Sequence, residues 1–311
     1  MNFLVTGGTG FIGSYVVRDL LKEGHEVVCL QRSGITPLLQ ELVPAKILKN
    51  VKIVQGTIAD YRLLDKTMKQ HKVENIIHLA ACMIPDSESN IPLALQSTII
   101  GTNNVFEAAR VFKIKRIVWG DSCSIFGNLG GVFGKNLFDT KLGVYAPTNF
   151  YGATKSLCEF MAKKYIENYD MDIISLRYWR VYGHGKNTGG GALFTEFIRN
   201  VALGNPVTIK GGDTSWAYLY VEDAASATTK ASQVPFTKDK FFDIHDGREY
   251  NGLELAEILK ELNPKIKVTI ESGKAQYDLP KVDCSLSYKE LGFTPRSLKD
   301  GLTMFANYFR K

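Results

Sequence analysis

The chain has 311 residues, of which 45% are hydrophobic and 23% charged, so it is long enough for a full core and has the composition of an ordinary globular protein. Its net charge of +6 comes from scattered basic residues, so we expect no nucleic-acid partner. The first predicted strand begins at Asn2, no apolar stretch reaches bilayer length, and the five cysteines show no metal-ligand spacing. We therefore expect a cytoplasmic protein with no signal peptide and no membrane or metal partner.

Strands and helices are predicted to alternate through the first half of the chain. The predicted strands are Asn2–Thr6, Glu26–Leu30, Val51–Gln55, Asn75–Leu79, Arg116–Gly120 and Asp172–Arg177. The predicted helices between them are Phe11–Lys22, Tyr61–Gln70, Pro92–Phe112 and Tyr151–Tyr169. This order predicts an α/β fold, a doubly wound parallel (Rossmann) sheet, in which ligands bind beyond the carboxyl ends of the strands.

The regular alternation of predicted strands and helices ends after about residue 180. Short strands then mix with predicted helices at Phe194–Leu203, Val221–Ala231 and Asn251–Leu262. We therefore predict a dinucleotide-binding domain at 1–180 and a smaller α/β substrate lobe at 181–311, with no flexible linker between them.

A glycine loop joins the first predicted strand to the first predicted helix. Gly7 suits a tight turn, Gly10 permits close approach of a phosphate, and Gly13 lets the helix pack on the strand. Such a turn points backbone N–H groups and the positive end of a helix dipole at one place. An ordinary glycine turn is the alternative, but the order strand, loop, helix favours dinucleotide binding.

Tyr151 and Lys155 are spaced to share one face of a helix. A Lys ammonium about 5 Å from a phenol favours the phenolate by roughly 3 kcal/mol, which would let Tyr151 act as an acid and base at neutral pH. Ser122 follows a predicted strand end, where its hydroxyl would hold a substrate oxygen. Taken alone, the Tyr–Lys pair is also explained as a surface pair, and Ser122 as a turn residue.

The sequence resembles the extended short-chain dehydrogenase/reductases, the NAD-dependent epimerase/dehydratase family, almost from end to end. The matching segments are Thr6–Gly13, His78-Leu79-Ala80-Ala81, Gly101-Thr102, Ser122 before Ile125-Phe126-Gly127, Tyr151–Lys155, Leu176-Arg177-Tyr178, Val181-Tyr182-Gly183, Leu219–Asp223 and Leu291–Pro295.

The resemblance implies that Tyr151 is the general acid/base, that Ser122 binds the reacting oxygen, and that Lys155 also holds the nicotinamide ribose. It further implies a homodimer formed through helices Pro92–Phe112 and Tyr151–Tyr169. The cofactor contacts that we expect are Gly7, Gly10, Phe11, Ile12, Gly13, Arg32, Ser33, Thr57, Ile58, Leu79, Ala80, Ala81, Tyr151 and Lys155.

The second predicted strand departs from the family pattern. NAD-using members commonly end this strand with an acidic residue that binds the adenosine ribose, whereas this strand ends Leu30-Gln31-Arg32-Ser33. Arg32 and Ser33 would suit a 2′-phosphate, so we expect NADP, with NAD as the alternative. Arg32 could instead be solvated or stacked on adenine. Thr57 stands where the family often has an Asp, which puts one adenine contact in doubt.

The substrate half also departs from the family pattern. Cys123 and Ser124 replace the acidic pair of the 4,6-dehydratases, which argues against dehydration. Trp216 appears in the place of an Arg that clamps a pyrophosphate, and Arg180 replaces a common Asn. Arg180 would meet an anionic or carbonyl group of the substrate, or form a buried ion pair. The expected substrate contacts are Met83, Ser122, Cys123, Ser124, Arg180 and Trp216.

The residues together predict an oxidoreductase that transfers hydride to or from a secondary alcohol or ketone of a sugar or sugar-nucleotide-like substrate. Our main expectation is an NADPH-dependent ketoreductase. The alternatives are an NAD-dependent nucleotide-sugar 4-epimerase and a non-catalytic NADP-binding regulatory protein.

Overall fold

The structure, a computed structural model, describes residues 1–127, 146–186, 190–274, 279 and 281–310. Its strands are β1 Asn2–Thr6, β2 Glu26–Gln31, β3 Lys52–Gln55, β4 Asn75–His78, β5 Arg116–Ser122, β6 Ile173–Tyr178, β7 Val181–Tyr182, β8 Val207–Ile209, β9 Trp216–Ala217, β10 Leu219–Tyr220, β11 Phe241–Ile244, β12 Glu249–Tyr250 and β13 Val268–Ile270.

Its helices are α1 Phe11–Lys22, α2 Pro37–Leu42, α3 Ala45–Leu48, α4 Tyr61–His71, α5 Asp86–Ser89, α6 Ile91–Ala94, α7 Gly101–Val111, α8 Phe150–Tyr169, α9 Gly190–Leu203, α10 Val221–Ala231, α11 Gly252–Leu262, α12 Ser285–Leu291 and α13 Leu298–Tyr308. A π-helical stretch, Leu95–Ile100, leads into α7, and a 3-10 turn, Cys123–Ile125, follows β5.

The described residues form a seven-stranded parallel sheet in the order β11-β6-β5-β4-β1-β2-β3. The chain runs outward from β1 to β3, then returns to start β4 on the other side of β1. That reversal between β1 and β4 is the place where ligands bind in doubly wound sheets. The predicted Rossmann fold is therefore confirmed.

Buried apolar side chains cover both faces of the sheet. One cluster lies with α1 and α10, and the other with α4, α7 and α8. Leu4, Val5, Ile76, Ile77 and Val118 are each fully buried. Strands buried on both faces read as continuous apolar runs, which is why the sequence located them well.

The part of the chain after residue 180 is joined closely to the sheet. Strand β11 pairs with β6, and α10 packs against α1. Three small ladders (β7 with β10, β8 with β13, β9 with β12) also belong to this part of the chain, and each supplies residues to the same cleft as the ends of β1, β2 and β5. The division at residue 180 stays a prediction, and the structure adds that the later segment supplies a strand of the main sheet.

Within the described ranges, no helix combines the length and apolarity that a membrane crossing requires.

Candidate active site

A cleft of about 1070 Å³ opens at the carboxyl ends of the central strands. This volume is slightly above the usual range for ligand pockets, roughly 300–1,000 Å³, so the cleft is large. Every residue that the sequence assigned to catalysis, cofactor or substrate lines it: Gly7, Gly10, Phe11, Ile12, Gly13, Arg32, Ser33, Thr57, Ile58, Leu79, Ala80, Ala81, Met83, Ser122, Cys123, Ser124, Tyr151, Lys155, Arg180 and Trp216. The roles themselves remain predictions.

The glycine loop is a tight backbone cradle. Gly7 has φ +71°, and a Cβ there would lie 2.9 Å from the backbone N of Ala80. A Cβ on Gly13 would lie 2.1 Å from the carbonyl oxygen of Gly7. Gly10 caps α1 without a side-chain hydrogen bond, so the first-turn N–H groups have no side-chain acceptor there. These features fit a dinucleotide diphosphate.

Gln31 holds this loop to the end of β2. Its side-chain oxygen accepts a hydrogen bond from the backbone N of Thr9 at 3.0 Å, and its amide nitrogen donates to the carbonyls of Ser33 and Gly34 at 2.8 and 2.9 Å. Sequence reasoning noticed that Gln31 is not acidic but missed this function. A glutamine at a strand end carries no signal for such a bridge, because its partners come from two separate loops.

The neutral ring of His78 links two threonine hydroxyls next to the cofactor half of the cleft. Its ring is fully buried between the hydroxyls of Thr6 and Thr102, at 2.6 and 3.0 Å, and burial lowers its pKa to about 3. Thr6 also accepts a hydrogen bond from the backbone N of Ala80. This network fixes the end of β4, where Leu79 to Ala81 enter the cleft.

The start of α8 positions the expected catalytic pair. The side chain of Asn149 caps the helix by accepting from the backbone N of Gly152 at 2.7 Å. The carboxylate of Glu88 accepts from the backbone N–H groups of Phe150 and Tyr151 at 3.1 and 3.0 Å. A carboxylate at a helix N-terminus also stabilises the helix dipole. These anchors hold Tyr151 against the cleft wall, where it is 6% exposed.

Ser122, at the end of β5, hydrogen bonds with the Tyr151 phenol. Its hydroxyl also donates to Ser124 Oγ at 3.1 Å and caps the following turn by accepting from the backbone N of Ser124. A substrate oxygen placed between Ser122 and Tyr151 would meet two hydroxyl groups of the protein.

Lys155 does not lower the pKa of Tyr151 in the way that the spacing alone suggested. Its ammonium nitrogen lies 5.9 Å from the Tyr151 ring centroid and donates to the Gly120 carbonyl at 2.6 Å. Burial raises the pKa of Tyr151, and the hydrogen bond with Ser122 lowers it in part. The expectation was wrong in sign because it counted the charge of Lys155 and left out the removal of the phenol from water.

The substrate half is built from segments that follow residue 180. Arg180 stacks on Trp216, with the guanidinium carbon 3.1 Å from the ring centroid. Lys186 and Tyr218 also line the cleft and were missed, because isolated residues on short segments carry no local signal. His184 hydrogen bonds with Glu41 at 2.9 Å and stacks on Tyr308.

Comparisons with known proteins agree with this geometry. Residues 3–251 match the NAD dependent epimerase/dehydratase family. The chain belongs to this family. It is 29% identical to a UDP-glucuronate 4-epimerase of Thermodesulfobacterium geofontis, over 99% of this chain and 96% of that protein.

Two solved structures extend the likeness to the fold. The UDP-glucose 4-epimerase of Thermotoga maritima, solved with UDP-glucose, is 26% identical with a TM-score of 0.82. The UDP-glucose 4-epimerase of Thermus thermophilus, in complex with NAD, is 26% identical with a TM-score of 0.81. Each alignment covers 100% of this chain and 99% of the other.

Membership in the NAD dependent epimerase/dehydratase family does not support the expected preference for NADP. That expectation rested on a missing carboxylate at the end of β2. In the structure the side-chain oxygen of Gln31 accepts a hydrogen bond from the glycine loop, and its amide nitrogen donates to the carbonyls of Ser33 and Gly34. A carboxylate could not make those donations, so the change from an acid to an amide has a use within the protein. Arg32 and Ser33 line the cleft, but a lost carboxylate alone does not build a phosphate site.

A buried carboxyl pair, Asp121 and Glu159, lies near the ammonium of Lys155. Asp121 is 2% exposed; it accepts a hydrogen bond from Ser175 Oγ at 3.3 Å and hydrogen bonds with the Glu159 carboxyl. Glu159 in turn receives two hydrogen bonds from Arg177 at 2.8 and 2.7 Å. Burial and Glu159 raise the pKa of Asp121, while Lys155 and Arg177 lower it in part. Two carboxyl groups that share a hydrogen bond hold one proton between them.

Replacing Asp121 with Asn is expected to stabilise the protein at pH 8 and to have little effect on stability near pH 4. The folded-state pKa of Asp121 is raised, so the free energy of unfolding of the wild type falls as pH rises above the unfolded-state pKa of about 3.9. The loss is at most about 1.4 kcal/mol per pH unit and ends at the folded-state pKa. Denaturant unfolding of both proteins from pH 4 to 8 measures the gap. A gap that stays constant or shrinks with rising pH would contradict the shared proton.

Proposed function

We propose that the protein is an NAD-dependent 4-epimerase of a nucleotide-linked sugar. The observation that carries this proposal is that Ser122, Tyr151 and Lys155 line the same cleft as the glycine loop. The relatives add support, because full-length likeness links the chain to a UDP-glucuronate 4-epimerase and to UDP-glucose 4-epimerases.

The residues of the chain would handle the proton and the oxygen. Bound NAD would supply a reversible hydride acceptor in the cleft. Ser122 would hold the sugar C4 oxygen, and Tyr151 would take its proton as the alcohol becomes a ketone. Tyr151 would return that proton to the same oxygen after the ketone presents its opposite face. Lys155, which donates a hydrogen bond to the Gly120 carbonyl, would hold the nicotinamide ribose next to Ser122 and Tyr151.

The epimerase, our alternative expectation from the sequence, replaces the NADPH-dependent ketoreductase as the preferred function. A 4-epimerase recycles its own hydride and has no need of an external reductant. The family is described as NAD dependent, and the Thermus thermophilus epimerase holds NAD. The relatives named above are enzymes, which argues against the non-catalytic NADP-binding regulatory protein. A cytoplasmic setting remains a prediction.

Epimerisation can be tested without added reductant. The purified protein, after assay for retained nucleotide, is incubated with UDP-glucuronate or UDP-glucose, and proton NMR follows the anomeric signals of the C4 epimers. We expect the epimer to accumulate to equilibrium, with retained NAD and no net change at 340 nm. Consumption of NADPH with a keto-sugar, and no epimer from either nucleotide sugar, would instead establish the ketoreductase.

We also propose that the protein forms a homodimer through two neighbouring helical segments, residues 95–111 and α8. Large apolar side chains are exposed on these helices: Leu95 at 40%, Ile100 at 44%, Val111 at 50%, Leu157 at 46% and Phe160 at 49%. Clustered apolar exposure on neighbouring helices is typical of an interface. Light scattering is expected to give the mass of two chains, and a mass of 34.6 kDa would contradict the proposal.

A further inference from the structure

Arg180 is a cation held in the cleft by stacking. It follows β6, and its guanidinium carbon lies 3.1 Å from the ring centroid of Trp216 on β9. Its carbonyl accepts a hydrogen bond from the backbone N of Leu219, which ties the two segments together. The side chain is exposed to the cleft, yet protein atoms surround it closely enough to lower its pKa. Arginine keeps its charge under such conditions.

The other enclosed arginines of the described residues have carboxylate partners. Arg177 pairs with Glu159 and Asp243, Arg116 pairs with Asp172, and Arg18 pairs with Asp19 and Glu222. In the described part of the chain, no carboxylate lies within ion-pair distance of Arg180. The sequence alternative of a buried ion pair therefore finds no support in these residues.

Stacking leaves the edge of the guanidinium free to bind a ligand. A planar guanidinium with one face on an indole presents its N–H donors in a plane, which matches the two oxygens of a carboxylate or a phosphate. Burial raises the pKa of the Cys123 thiol, next to Ser122, and the Arg180 guanidinium lowers it in part. Arg180 lines the same cleft as Ser122 and Tyr151, so an oxyanion bound at Arg180 would belong to a ligand of this cleft.

We propose that Arg180, seated on Trp216, is the site for an oxyanion of the substrate. This inference rests on the proposed function and deepens it. The oxyanion is a carboxylate on the sugar or the diphosphate that links the sugar to its nucleoside. Trp216 is then a positioning residue, which holds the guanidinium plane open to the ligand.

The affinities for three ligands distinguish the sugar carboxylate from the diphosphate as the bound oxyanion. The NAD-loaded wild type and the Arg180→Gln variant are titrated calorimetrically with UDP-glucuronate, UDP-glucose and UDP. If the site takes a carboxylate, the variant loses about 10- to 100-fold in affinity for UDP-glucuronate alone. If the site takes a phosphate, all three ligands weaken by a similar factor. Either pattern supports the proposal.

Control variants make the result specific. Arg248 also stacks on a ring, that of Tyr250 at 4.4 Å, but lies outside the cleft lining, so Arg248→Gln is expected to bind all three ligands as the wild type does. Arg180→Lys, which keeps the charge and loses the planar fork, is expected to fall between wild type and Arg180→Gln. If Arg180→Gln fails to fold, the ligand affinities of Arg180→Lys still test the proposal.

Two negative outcomes are distinguishable. Wild type that binds the ligands, with Arg180→Gln and Arg180→Lys binding them equally well, would overturn the oxyanion site and leave the epimerase proposal intact. Wild type that binds none of the three ligands, and epimerises neither sugar, would overturn the proposed function and this inference together.

Discussion

Replacing Tyr151 with Phe is expected to lower kcat for epimerisation by about 1000-fold. General acid/base catalysis contributes roughly 100- to 10,000-fold, and Phe removes the hydroxyl without changing the shape of the ring. The phenol is buried against Ser122, so no bulk water takes its place at the reacting oxygen. Affinity for NAD and for the nucleotide sugar is expected to stay within about threefold, since the lost interaction acts mainly in the transition state.

The same exchange at Tyr165 is a matched control. Its hydroxyl contacts Asn103 and Glu107, and the residue does not line the cleft. Tyr165→Phe is therefore expected to keep normal kcat. The pH profile gives a second readout, because burial raises the pKa of Tyr151 and the rate should climb into the alkaline range in the wild type. Tyr151→Phe with wild-type kcat would remove Tyr151 from the mechanism.

Local signals were sufficient to predict the elements that build the cleft. Asn2–Thr6 and Phe11–Lys22 are observed with the predicted bounds, because apolar spacing and glycine positions act within the segment itself. Strand β5 was predicted to end at Gly120 but continues to Ser122, because Ser122 pairs with Tyr178 of β6. That extension comes from a neighbouring strand and has no mark in the local sequence.

The predicted helix Pro92–Phe112 is a second instructive difference. The structure has a short helix to Ala94, a π-helical stretch from Leu95 to Ile100, and then a regular helix. Within the π-helical stretch, the Thr98 hydroxyl accepts a hydrogen bond from the backbone N of Cys82 at 3.0 Å. The distortion lies beside the segment that leads from β4 into the cleft, a tertiary contact that helical periodicity does not encode.

The site follows the same division. The glycine loop and the Tyr–Lys spacing are local patterns, and the sequence placed them in the cleft. The bridge made by Gln31, the carboxyl pair of Asp121 and Glu159, and the stack of Arg180 on Trp216 each join distant segments. The sequence shows which residues are present, but the contacts between them depend on how the strands and loops meet in the fold.

Replacing Gly13 with Ala is expected to weaken NAD binding by about 10- to 100-fold. The added Cβ would lie 2.1 Å from the Gly7 carbonyl oxygen and 2.9 Å from the Gly8 Cα, both backbone atoms that cannot rotate away. Overpacking of this kind costs about 1–3 kcal/mol. If the loop regains its binding shape only at that cost, the affinity for NAD falls by the corresponding factor. Calorimetric titration of the nucleotide-free protein with NAD measures the loss.

Gly34→Ala is the control for this effect, since Gly34 lies in the loop after β2 and a Cβ there meets no atom within 4 Å. We expect its affinity for NAD and its Tm to match the wild type. The contrast isolates the close approach of α1 to the loop, because both variants add one methyl group near the same end of the cleft. Equal NAD affinity in Gly13→Ala and wild type would mean that the loop yields without cost. The diphosphate would then be held by groups other than the cradle that Gly7, Gly10 and Gly13 form.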